Sequence, residues 1–186
     1  MIVKFFQPGR EFELHEEEYT KVWRDVRTRG DLILRRDVEE FEQNFAKYIG
    51  AKYCVGVNSG TDALLIALMA LGIKERDLVL VPSHTFVATA QVVAQIGAIP
   101  VLYDLNEGHT MIPDYTKAMI VAHIAGDFQV NDMERLIGNC RVMGIPLIED
   151  SCQALGATQN GKKAGSFGRV GAFSFYPAKI LGGPGD

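Results

Sequence analysis

Cysteine is scarce in this chain. Cys54, Cys140 and Cys152 are odd in number and widely spaced among 186 residues, and none forms a C-x-x-C pair. That argues against both a zinc site and a disulfide framework and fits a reducing compartment. Positive charge is also in short supply: 19 Lys and Arg against 23 Asp and Glu leave a formal net charge of −4, where a dedicated nucleic-acid binder shows a basic surplus. The local run of Arg24, Arg27, Arg29, Arg35 and Arg36 is interleaved with Asp25, Asp31 and Asp37 and reads as a solvated helix face. No apolar run is long enough to span a bilayer. The opening MIVKFFQPGREFE holds neither an apolar h-region nor a cleavage site, so the expected location is cytoplasmic. The phosphate-binding patterns G-x-x-x-x-G-K-[ST] and G-x-G-x-x-G are both missing.

What is present is ordinary for a soluble protein with a core: 47% hydrophobic and 23% charged residues. In EEEYTKVWRDV, Tyr19, Val22, Trp23 and Val26 recur at helical spacing; in DVEEFEQNFAKYIG, Val38, Phe41, Phe45 and Tyr48 do the same and Gly50 stops the run. Both read as amphipathic helices that pack one stripe inward. Residues 1–50 are thus expected to form a helical segment. From residue 51 the pattern changes. YCVGV, DLVLVPS, IPVLYDL, AMIVAHI, IPLIEDS and VGAFSFY are short apolar runs, and the helical stretches TDALLIALMALG, TFVATAQVVAQIG and NDMERLIGNCRVMG lie among them. Strands apolar throughout, alternating with helices, predict an α/β fold with a mostly parallel sheet flanked by helices over 51–186. The link NEGHTMIPDYTK is about as short as a parallel crossover can be, too short for a full helix.

In such sheets, ligands bind beyond the C-terminal ends of the strands. The runs deliver their polar residues to that edge: Ser59, Gly60 and Thr61; Ser83, His84 and Phe86; His123; Glu149, Asp150 and Gln153; Ser174 and Lys179. Each has a plainer reading. Ser59 can be a simple N-cap with Asp62 completing the box, or Ser59-Gly60-Thr61 can offer backbone N–H groups and hydroxyls to a phosphate at a helix start. Phe86 alone reads as core, and His84 and His123 as structural histidines. Asp150 ends a buried strand, where an unpaired carboxylate is costly; it either caps a following helix or faces a cationic partner. Lys179 has apolar, Gly/Pro-rich flanks and is expected to be buried.

Taken together, VNSGTDALLIAL, VPSHTFVATA, IEDSCQALGATQNGKKAGSFG and GAFSFYPAKILGGPGD resemble the DegT-like sugar aminotransferases, pyridoxal-phosphate enzymes of fold type I. FEQNFAKYIGAKYCVGV is similar to the family's approach to its first strand. The resemblance runs over nearly the whole chain and places Lys179 where the family keeps its Schiff-base lysine. It implies that Lys179 also moves a proton as general base and acid, and that Asp150 pairs with the pyridinium nitrogen. It implies further that Phe86 stacks on the ring, that Ser59, Gly60, Thr61 and Ser174 form the phosphate site, and that Gln153 lies near the ring hydroxyl. The cofactor is then pyridoxal 5′-phosphate. The implied reaction carries an amino group from glutamate or glutamine to a nucleotide-linked ketosugar, in a homodimer with no nucleic-acid or membrane partner. The link NEGHTMIPDYTK and the stretch HIAGDFQ depart from the family pattern. Relatives continue past the position of Asp186 with a returning antiparallel strand and a small domain. This chain is therefore expected to be the N-terminal half of an enzyme, inactive alone. A sugar dehydratase is a competing reading, countered by Lys179, since dehydratase relatives carry histidine there. A non-catalytic or regulatory cofactor-binding protein is another.

Overall fold

The computed structural model describes residues 7–104, 112–128 and 130–183. Three helices come first. Helix α1 (Pro8–Leu14) starts on a proline, which suits a helix's first turn because its missing N–H has no acceptor there. Helix α2 (Glu16–Arg29) carries Glu16, Glu17 and Glu18 in its first turn and Arg27 and Arg29 in its last, and stops at Gly30 with a left-handed φ of 72°; the charges oppose the helix dipole and glycine takes that φ without strain. Helix α3 (Arg36–Ile49) ends in the same way at Gly50. The interleaved arginines and aspartates pair rather than simply dissolve: Arg29 reaches Asp31 at 3.1 Å and also Asp37, and Arg35 reaches Asp37 at 3.2 Å.

The inward stripe expected of α2 is not packed. Val26 is buried, but Val22 and Trp23 are 52% and 62% exposed. Tyr19 meets Phe12 of α1 edge-on at 5.7 Å, and among the described residues nothing covers the rest of the stripe.

The sheet has five strands: β1 (Leu78–Pro82), β2 (Ile99–Tyr103), β3 (Thr116–Ala122), β4 (Leu147–Asp150) and β7 (Val170–Ala172). Their order is β2-β1-β3-β4-β7, and every pair is parallel. A two-residue hairpin, β5 (Thr158–Gln159) with β6 (Lys162–Lys163), interrupts the path from β4 to β7. Helix α4 (Gly60–Ala70) precedes the sheet, α5 (Val87–Gln95) connects β1 to β2, and α6 (Met133–Val142) lies between β3 and β4. Alternation along the strands fills both faces. Val79, Val81, Ile120 and Ile148 pack with Leu64, Leu68, Val92 and Val93 of α4 and α5. Leu80, Met119, Val121 and Leu147 pack on the other side with Met133, Leu136 and Cys140 of α6 and with Phe167. No helix among the described residues is long and apolar enough to cross a membrane.

Two strand expectations change. Tyr53–Val57 joins no ladder among the described residues; Tyr53 and Val55 are both 74% exposed. Among the described residues its one hydrogen bond to a helix is Gly56 N–H donating to Glu42 of α3 at 2.6 Å. A strand is defined by its neighbour, and a β-rich sequence does not supply one. The run VGAFSFY pairs only through Ala172 and continues outside the ladder. Residues 105–111, which include the first half of the link expected to lack a helix, lie outside the described residues, as do Pro184, Gly185 and Asp186.

Candidate functional site

The chain moves outward from β1 to β2, then returns to the other side of β1 with β3. The strand order reverses there, and the crevice beyond the C-terminal strand ends is the natural place for a ligand. The polar residues singled out from sequence are built around this edge.

Ser59 is the N-cap of α4: its backbone is extended and its hydroxyl accepts from Asp62 N–H at 3.1 Å. The simple capping role is therefore real. It accounts for one first-turn donor, while the N–H groups of Gly60 and Thr61 have no hydrogen-bond partner among the described residues. Such donors at a positive dipole end favour an anion. Gly60 is buried, and a Cβ there would lie 2.7 Å from Cys152 Sγ, 3.1 Å from Ser174 Cβ and 3.2 Å from the Phe173 carbonyl oxygen. The missing side chain lets the helix start press against the ends of β4 and β7, which brings Gly60, Cys152 and Ser174 together.

Asp150 ends β4 with 8% exposure. Its Oδ2 accepts from the Thr89 hydroxyl at 2.7 Å and its Oδ1 from Cys152 N–H at 3.2 Å. Thr89 has one hydroxyl proton and gives it to the carboxylate, so at 2.9 Å Thr85 must be the donor to Thr89. Asp150 makes no ion pair among the described residues. It caps no helix either: the next residues form a turn, held in part by the bond from Cys152. Burial, and then the charge of Asp150, push the Cys152 thiol well above its ordinary range, while the Lys179 ammonium acts the other way.

Lys179 sits in the turn after β7, half-buried rather than buried, with its N–H on the Tyr176 carbonyl at 2.8 Å. The turn can close because Gly182 lies against the Pro177 backbone where a side chain has no room. Phe86 is not core: it stands at the N-cap of α5, 66% exposed. Gln153 is exposed and accepts from Ala125 N–H at 3.2 Å, joining the β3 and β4 ends.

Glu149 points away from Asp150, as neighbours on a strand must. It is fully buried and accepts from Gly165, Phe167 and Gly168 N–H at 2.8, 2.6 and 2.6 Å. His123 lies 3.0 Å from it and rests on Phe128 at 4.5 Å; the satisfied structural histidine expected there is met at Nε2 only, since Nδ1 is buried with no partner among the described residues.

Thr85, Thr89 and the role of Glu149 were not foreseen. A signal existed for the threonines: they are four apart, hence neighbours at a helix start. The donor set as a whole fits a planar group with a phosphate, a protonatable ring nitrogen and a carbonyl. It offers unpartnered N–H groups at Gly60 and Thr61, the Thr61 hydroxyl, a Ser174 hydroxyl that accepts from Tyr176 N–H at 3.4 Å and keeps its own proton to donate, a buried carboxylate, an amine, and an exposed aromatic ring.

Residues 13–186 match the DegT/DnrJ/EryC1/StrS aminotransferase family. The chain belongs to this family. A dTDP-3-amino-3,4,6-trideoxy-alpha-D-glucose transaminase of Micromonospora megalomicea subsp. nigra is 37% identical over 185 residues, covering 95% of this chain and 49% of that protein. The chain spans about half the length of the curated relatives it matches. Among solved structures, S. venezuelae DesV in complex with a ketimine intermediate superposes with a TM-score of 0.91 at 37% identity, over 99% of this chain and 52% of that one. NtdA from Bacillus subtilis with bound cofactor PMP superposes with a TM-score of 0.85 at 28% identity, over 98% and 43%. Aminotransferases of this family are dependent on pyridoxal phosphate.

Proposed function

We propose that the protein is a cytoplasmic pyridoxal-phosphate-dependent aminotransferase acting on a nucleotide-linked ketosugar, with glutamate or glutamine as donor. The donor becomes its 2-oxo acid and the sugar carbonyl becomes an amine. The observation that carries this reading is Asp150: a buried carboxylate at a strand end, with each oxygen already oriented by one donor and no ion pair among the described residues. A protonated ring nitrogen is the partner such a group lacks. When bound, the cofactor supplies the electron sink that stabilises negative charge at a substrate carbon. Asp150 would hold a proton on the ring nitrogen and keep that sink strong. Gly60 and Thr61 would bind the phosphate through backbone N–H groups, with the Thr61 and Ser174 hydroxyls beside them. Phe86 would cover the ring, and Gln153 would serve its hydroxyl side. Lys179 Nζ would act as general base and acid, taking the proton from the donor's α-carbon and giving it back two atoms along, beyond the amino nitrogen. A histidine there, as in the dehydratases, could not also hold the cofactor covalently.

The test is chemical. Purified chain is mixed with pyridoxal phosphate, reduced with borohydride and mapped by mass spectrometry. The label is expected on Lys179 and absent from Lys179→Arg. Label on a different lysine of the wild-type chain overturns the assignment.

A further inference from the structure

Phe173–Tyr176 follows β7 outside any ladder among the described residues, and its side chains alternate in what they touch. Phe173 and Phe175 share one face and both meet the ring of Phe45 on α3 edge-on, at 5.0 Å and 84° and at 5.3 Å and 76°. Phe41, one helical turn earlier, stacks on Phe45 at 5.5 Å and meets Phe175 edge-on at 5.2 Å. Ser174 lies between, on the other face, beside Gly60. Behind Phe173, its ring occupies the place a Cβ on Gly165 would take, and Glu149 holds the Gly165 backbone. Strand pairing ends at Ala172, so no ladder sets the register of the next three residues. A slip of one residue would present a phenylalanine to the start of α4 in place of the serine.

We propose that Phe45 is a positioning residue for the phosphate end of the site: wedged between Phe173 and Phe175, it fixes the register that turns Ser174 toward the first turn of α4. This rests on the cofactor reading above, and the experiment separates the two. Pyridoxal phosphate and pyridoxal, which lacks the phosphate, are titrated into wild-type chain, Phe45→Ala and Phe45→Tyr, with binding followed by the absorbance of the bound ligand. Wild type is expected to favour the phosphorylated form. Phe45→Ala should lose about tenfold in affinity for pyridoxal phosphate, the scale of one or two lost aromatic pairs, with pyridoxal affinity nearly unchanged, and Phe45→Tyr should restore the preference. If Phe45→Ala does not fold, Phe45→Leu carries the same expectation, because it keeps apolar volume without a ring edge. An unchanged preference in the alanine or leucine variant, or equal losses for both ligands, overturns the role of Phe45 alone. Absence of binding by wild-type chain overturns the cofactor reading and this proposal with it.

Discussion

Glu149→Gln replaces one carboxylate oxygen by an NH2 group in a site without solvent. Glu149 Oε1 accepts from Phe167 and Gly168 N–H, and Oε2 accepts from Gly165 N–H and faces His123 Nε2. The amide oxygen does best on the side with two backbone donors. Its NH2 then opposes Gly165 N–H, donor against donor, and leaving that buried group unsatisfied costs about 1–3 kcal/mol. The two surviving bonds change from a charged to a neutral acceptor, a loss of about 1 kcal/mol each. His123 Nε2 can accept from the new NH2 only by moving its proton to Nδ1, which is buried with no partner among the described residues, so little is recovered there. The total is about 3–5 kcal/mol, a large share of the roughly 5–15 kcal/mol that holds a typical domain folded. For a chain of this size that lowers Tm by roughly 6–20 °C. Thermal unfolding followed by circular dichroism measures it. A change of under about 2 °C would show that the turn at 165–168 does not lean on this carboxylate, and the reasoning about Glu149 would fail.

Asp150→Asn, made in a complete version of the enzyme, is expected to retain cofactor through the phosphate site while turnover falls by about two orders of magnitude or more, the scale of losing a key electrostatic partner; near-normal turnover would sink the role given to Asp150. Burial raises the Cys140 thiol from 9.0 to about 11. The folded chain therefore holds that proton more tightly than the unfolded one, and its contribution is intact below pH 9.0 and lost as pH climbs through about 11. Urea unfolding across this window should show a shallower alkaline decline in Cys140→Ala, and an identical slope in the two proteins would count against it.

Helices α3 to α6 were legible because spacing, caps and length agree: Gly50 stops α3, and Ser59 with Asp62 starts α4. Periodicity on α2 told which face is apolar, not whether anything covers it, and Trp23 stands in solvent. YCVGV has strand composition, but pairing depends on a neighbour that composition does not name. The adjacent carboxylates Glu149 and Asp150 announced that buried acids need partners. They could not announce which. One is answered by backbone N–H groups 16 to 19 residues later, the other by a threonine 61 residues earlier. Such pairings are set by the stacking of α5 and the 165–168 turn against the sheet, and no local pattern encodes them.

The ladder that ends at Ala172 divides the site into parts of unequal stiffness. Asp150 stands on a strand hydrogen-bonded on both sides, to β3 and to β7, and its amide neighbourhood can open only when the sheet does. Ser174 and Lys179 hang from chain tethered by side-chain rings and by single bonds such as Gly183 N–H to Phe175 O. Local opening of that kind requires far less free energy than global unfolding. In the proposed reading the carboxylate is thus a fixed post and the lysine a hinged arm, so a ligand would enter or leave, and the amine would swing, without any strand leaving its place.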